Sequence, residues 1–126
     1  MRVLLADNQP HVRVAIHFLL DQQPNVHLIG AADTCDLLLE QSRTLRPDLI
    51  LVNWELWRLC CAELCASLRA RPQCPKLIVF SSRFEVRQAA LNSGADIFFC
   101  VYDPPETFIH LVQKAMVHQP HGAQHQ

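Results

Sequence analysis

Most of the chemistry this chain offers sits where short apolar runs stop. Asp7-Asn8 follows the run Arg2 to Ala6, and Asn53 follows Leu49 to Val52. Ser81-Ser82 follows Leu77 to Phe80, and Val101 closes the run that begins at Asp96. Asp7 is an oxygen donor of the kind hard cations take, but alone it brings little charge to hold one. Asn8 and Asn53 are amides, uncharged and poorly nucleophilic, and Ser81 and Ser82 supply hydroxyls. Arg83 and Arg87 lie just beyond and offer a site for a small anion or for acids on a partner, with a solvated helix face the expected role.

Sulfur is the second resource. Of the six cysteines, Cys60, Cys61 and Cys65 fall on one helical stretch, with Cys61 and Cys65 on a shared face at i and i+4. A structural metal site wants two well-spaced pairs of the Cys-x-x-Cys kind, which the sequence lacks. Free thiols packed as small hydrophobes are the expected role, with redox or metal sensing as the sharper alternative. His118, His121 and His125 fall in a polar C-terminal segment, where adventitious metal binding is expected rather than a built site.

The elements that position these residues follow from periodicity. Arg2 to Ala6, Val26 to Ala32, Leu49 to Val52, Leu77 to Phe80 and Asp96 to Val101 read as strands. Helical spacing begins at Pro10, with Val12, Ala15, Ile16, Leu19 and Leu20 on one face. A second helix, capped by Asp33 or Thr34, places Leu37, Leu38 and Leu45 inward. Further helices are expected over 59–71, over 84–93 with Gly94 as C-terminal cap, and from Pro104-Pro105 to about Val117. Strands apolar on both faces are covered on both sides, so five alternating strand–helix units predict a doubly wound parallel α/β domain. Its functional crevice then lies at the carboxyl ends of the strands, where the polar stops are.

Bulk properties narrow the function classes. The chain has 126 residues, half hydrophobic and 18% charged, which suits one globular domain over 1–117 and a polar tail or linker start over 118–126. A net charge of -1 gives no reason to expect a nucleic-acid partner. The longest apolar runs are far too short to cross a bilayer, and no export signal opens the chain, so a cytoplasmic address is expected.

The strand ends carry a family resemblance. Arg-Val-Leu-Leu-Ala-Asp-Asn-Gln-Pro-His-Val-Arg at 2–13, Arg-Pro-Asp-Leu-Ile-Leu-Val-Asn at 46–53, Leu-Ile-Val-Phe-Ser-Ser at 77–82 and Ser-Gly-Ala-Asp-Ile-Phe-Phe-Cys-Val at 93–101 together resemble a response-regulator receiver domain. The style is closest to receivers that precede a LuxR-type helix-turn-helix. The resemblance implies a CheY-like, flavodoxin-like (βα)5 sheet of order 2-1-3-4-5 and a role in two-component signalling. In the family an aspartate ending strand three is phosphorylated with Mg²⁺ held by an acidic pair after strand one, and a hydroxyl and a lysine contact the phosphoryl group. Onto those positions fall Asn53, Asp7 with Asn8, Ser81 and Val101.

Three of these five depart from the pattern. Asn53 should form no acyl phosphate, and a Mg²⁺ site built on Asp7 alone should be weak or lost, so no cofactor is expected. A lysine beside so neutral a site would be an unpaired charge, and Val101 removes it. The chain therefore resembles a pseudo-receiver, not an enzyme, acting on a protein partner or a second copy through the helix 4–strand 5–helix 5 face. The alternatives are phosphorylation diverted to Asp7 or Glu55, or a thiol-based sensor on the same fold. Phe98 stands at the family's switch aromatic, or is simply a core or surface side chain of strand five. Trp54 and Trp57 occupy the stretch where the family has proline and glycines, so that loop should take a different path. Either they make a partner-binding hot spot or they fold over the vacant pocket.

Overall fold

The computed structural model describes residues 1–117; the segment 118–126, with its three histidines and the expected tail, lies outside the described residues. The order is β1 (Arg2–Ala6), α1 (Pro10–Asp21), β2 (His27–Ala32), α2 (Cys35–Thr44), β3 (Leu49–Asn53), α3 (Trp54–Arg69), β4 (Lys76–Ser81), a 3-10 turn (Phe84–Val86), α4 (Arg87–Asn92), β5 (Ile97–Cys100) and α5 (Pro105–Val117). All pairings are parallel and the sheet runs β2-β1-β3-β4-β5. This is the (βα)5 arrangement that the alternation of elements predicts.

Alternation along the strands divides the core in two. Val3, Leu5, Leu49, Leu51, Ile78 and Phe80 face α1 and α5, meeting Ile16, Leu20, Phe108 and Val112. Leu4, Ala6, Ile50, Val52, Leu77 and Val79 face the other way, against Leu38 of α2, Leu56, Trp57 and Leu64 of α3, and Ala90 of α4. Central strands buried on both sides cannot alternate with polar residues, which is why β3 reads as one unbroken apolar run.

Local signals account for the helix ends. Pro10 opens α1, where its missing N–H leaves nothing unsatisfied. Thr34 caps α2, its Oγ1 accepting from the Leu37 N–H at 3.2 Å. Leu38 is buried, as expected, but Leu37 is exposed: one residue along a helix turns the side chain by about 100°, out of the stripe that faces the sheet. The expected fourth helix is split, with a 3-10 turn over its first three residues and a regular helix only from Arg87.

The largest departure from expectation is at α3. It starts at Trp54, directly after β3, not at Leu59. Trp54 and Trp57 are therefore helical, and the expected loop does not exist. Trp57 is fully buried, so it is neither a partner surface nor a lid over the strand ends. It packs toward α4, its Nε1–H donating to Ser93 Oγ at 2.7 Å. Trp54 is half-buried against the same core cluster. A stretch without proline or glycine and with leucines at helical spacing extends the helix back to the strand.

Candidate functional site

Parallel pairing brings the predicted site residues to one edge. Ala6 pairs with Val52, so Asp7 and Asn53 emerge from neighbouring strand ends. Asn53 in turn pairs with Phe80, and Ser81 with Cys100. The Val101 N–H donates to the Ser81 carbonyl at 2.9 Å, which sets Val101 beside the serine. Asp7, Asn53, Ser81 and Val101 are thus assembled as the spacing implies, while Asn8 is exposed to solvent.

Each polar group there already has local work. Asp7 is fully buried. Its Oδ1 accepts from the Gln9 N–H at 3.1 Å, and its carbonyl accepts from Arg13 Nη1 at 3.1 Å. Its Oδ2 is buried without a partner. Burial pushes the Asp7 carboxyl above the usual carboxylate range, only partly offset by the Gln9 N–H and the Arg13 charge. Ser81 Oγ accepts from the Arg83 N–H at 3.0 Å. Asn53 is the N-cap of α3, with its Oδ1 accepting from the Glu55 N–H at 2.8 Å.

That capping role is what the sequence reading missed. The signal was present: an asparagine followed by Trp54-Glu55-Leu56, with an acid in the first turn and no breaker, is a helix start. Glu55 adds charge pairing at the rim, 3.1 Å from Arg58 and 3.7 Å from Arg83, which also reaches Glu85 at 3.3 Å. Arg83 is thereby an ion-pairing surface residue.

Beside the strand ends, between α1 and the start of α5, lies a cleft of about 490 Å³. Its wall is largely apolar, with Val12, Ile16 and Val101, and its polar contributions include Gln9, Asn53 and Asp103. Val101 is a small, partly buried hydrophobe packed on the α1–α5 cluster. Phe98 is half-buried and packs against the cluster that holds α3 and α4. Its neighbour Phe99 is the deeper aromatic, its ring 5.1 Å from that of Phe108.

The family profile described as the response regulator receiver domain matches residues 3–100. The chain belongs to the response-regulator receiver domain family. Receiver domains are signalling modules of two-component systems, and the fold fits that assignment. Among curated proteins, the nitrate/nitrite response regulator NarL of Escherichia coli (strain K12) is 27% identical over 115 residues, 90% of this chain and 53% of the relative. A protein-glutamate methylesterase/protein-glutamine glutaminase of Idiomarina loihiensis is 29% identical over 93 residues, 74% of this chain and 24% of the relative. The receiver thus spans about half of the first relative and a quarter of the second. Among solved structures, the signal receiver domain of a NarL response regulator from Mycobacterium tuberculosis superposes with a TM-score of 0.79 at 21% identity, covering 94% of this chain and 97% of that one. Among the described residues, no helix is long and apolar enough to cross a membrane.

Proposed function

We propose that this receiver domain signals without phosphorylation, as a protein-binding module whose strand-end site is held in one conformation. The observation that carries this reading is the Asn53 cap. The side chain standing at the phosphoacceptor position is an amide, nearly buried, with its oxygen committed to the first turn of α3. An amide oxygen carries no charge and is a poor nucleophile toward phosphorus.

The remaining groups supply no substitute. Asp7 has the carboxylate but no exposed surface from which to attack. Glu55 is engaged by two arginines. Mg²⁺ demands near-octahedral oxygen ligation and charge. Here one carboxylate oxygen is free, Asn8 is exposed and the Asn53 oxygen is taken, so the donor set does not fit the ion. We accordingly assign the domain no catalytic step and no resident cofactor. Its partner is another protein or a second copy, met through α4, β5 and α5 in the cytoplasm, with Phe98 beneath that face and no role in binding nucleic acid or membrane. Phe84 and Tyr102, exposed at 67% and 81% beside α4 and β5, support this surface.

The test is incubation with Mg²⁺ and acetyl phosphate followed by intact-mass measurement, beside an N53D variant. The native domain should gain no mass. A phosphoryl adduct on it would overturn the proposal, and mapping would name the residue. A gain in the variant alone would identify Asn53 as the lock.

A further inference from the structure

Two thiols from different helices converge in the α2–α3 seam. Cys35 is the first residue of α2 and Cys60 lies in the second turn of α3. Both sulfurs point at one atom, the carbonyl oxygen of Leu56, at 3.6 Å from Cys35 and 3.1 Å from Cys60. Burial first, and then the neighbouring Cys35 thiol, push the Cys60 thiol up to about 12. Cys60 is buried and Cys35 is half-buried, so only one of the two is open to a solute. The other thiols do not meet at the Leu56 carbonyl, and Cys61 is partly buried on α3. Cys65 donates to the Ser93 carbonyl and Cys74 to that of Pro75, while Cys100 is buried at the end of β5. Among the described residues, Cys35 and Cys60 are the thiols that share an acceptor.

We propose that Cys35 and Cys60 are a reversible redox pair, closing a disulfide between α2 and α3 when a hydroperoxide is present. The more accessible Cys35 attacks the peroxide as its thiolate. The O–O bond breaks, hydroxide or alkoxide leaves, and Cys35 becomes a sulfenic acid. Cys60 sulfur then attacks Cys35 sulfur, the S–O bond breaks, and the departing hydroxide takes the Cys60 proton as water. Two thiols are oxidised to one disulfide while a hydroperoxide is reduced to an alcohol or water, with a second water from the sulfenic oxygen. Cys60, whose sulfur shares the Leu56 carbonyl with that of Cys35, is placed for this second, resolving step and gives up its proton as it attacks. Leu56 lies in the first turn of α3, three residues after the Asn53 cap, so the bridge fastens the strand-end site to α2. The pairing rests on the seam geometry alone and stands whether or not acetyl phosphate modifies the domain.

The experiment is peroxide treatment of the reduced full chain, alkylation of remaining thiols, and tryptic mapping without reductant. Cleavage separates peptide 14–43, whose sole cysteine is Cys35, from peptide 59–69, which holds Cys60, Cys61 and Cys65. The expected product is these two peptides joined, with loss of two hydrogens, restored by dithiothreitol. C35S and C60S should each abolish the link and C61S should keep it, with circular dichroism showing that each variant is folded. If a variant fails to fold, fragmentation of the wild-type linked peptide locates the bonded sulfur directly. Absence of the link in the wild type, or bonding through Cys61 or Cys65, overturns the proposal.

Discussion

The indole N–H of Trp57 donates to Ser93 Oγ at 2.7 Å, and that hydroxyl donates onward to the Ala90 carbonyl at 3.0 Å. The short chain joins α3 to the end of α4 from inside the core. S93A leaves a buried indole donor unpaired, and should cost about 1–3 kcal/mol. Urea unfolding measures this; an unchanged midpoint with an unchanged slope would show that the bond contributes nothing.

Asn53 can be tested as a cap independently of any phosphorylation. N53A removes the acceptor of the Glu55 N–H and should lower stability by about 1 kcal/mol. N53D retains a cap of similar quality, so at pH 5 it should melt above N53A. Thermal unfolding of the three proteins decides it, and equal melting of N53A and its parent would refute the capping assignment.

Asp7 should make stability depend on pH in the direction opposite to most carboxylates. Its folded-state pKa is raised by burial, so the stability from the protonated form is fully present below the ordinary value of 3.8 and is lost as pH rises through the folded-state pKa. D7N stays neutral throughout. It should therefore be more stable than its parent at pH 7, by roughly 1 kcal/mol for a buried unpaired acceptor, with the advantage shrinking toward pH 3. A pH series of melting temperatures tests the sign; a variant less stable at pH 7 would mean that the charge is favourably held.

Gly94 has φ of +121°. An added Cβ would stand 2.9 Å from Cys65 Sγ and 3.6 Å from Trp57 Cζ2. G94A combines backbone strain with crowding of the α3–α4 seam and should lose more than about 1 kcal/mol. Chemical denaturation of this variant would settle whether the seam yields instead.

Much of this was legible beforehand because the signals were local. Pro10, Thr34 and the paired prolines at 104–105 announced their helices, and the doubly apolar β3 and β4 required a covered parallel sheet. The strand ends then placed Asp7, Asn53, Ser81 and Val101 together without further information. What escaped was of two kinds. Asn53 was read by its position in a family pattern, and its competing role as a helix cap was overlooked, so the start of α3 and the burial of Trp57 were misplaced. The convergence of Cys35 and Cys60 depends on how α2 meets α3, and no spacing within one helix reveals a contact made between two. Adjacent Cys60 and Cys61 look alike in sequence, yet Cys60 is buried and shares the Leu56 carbonyl with Cys35, while Cys61 is only partly buried.

The direct junction between β3 and α3 has a mechanical consequence. With no intervening residues to absorb a change in backbone angles, a displacement of the strand end cannot be taken up locally and must be carried by the helix as a body. The 16 residues of α3 run about 24 Å at 1.5 Å per residue, so a small tilt at Asn53 is magnified at Arg69 on the opposite rim of the sheet. The strand end and the far rim are therefore the two ends of one stiff lever.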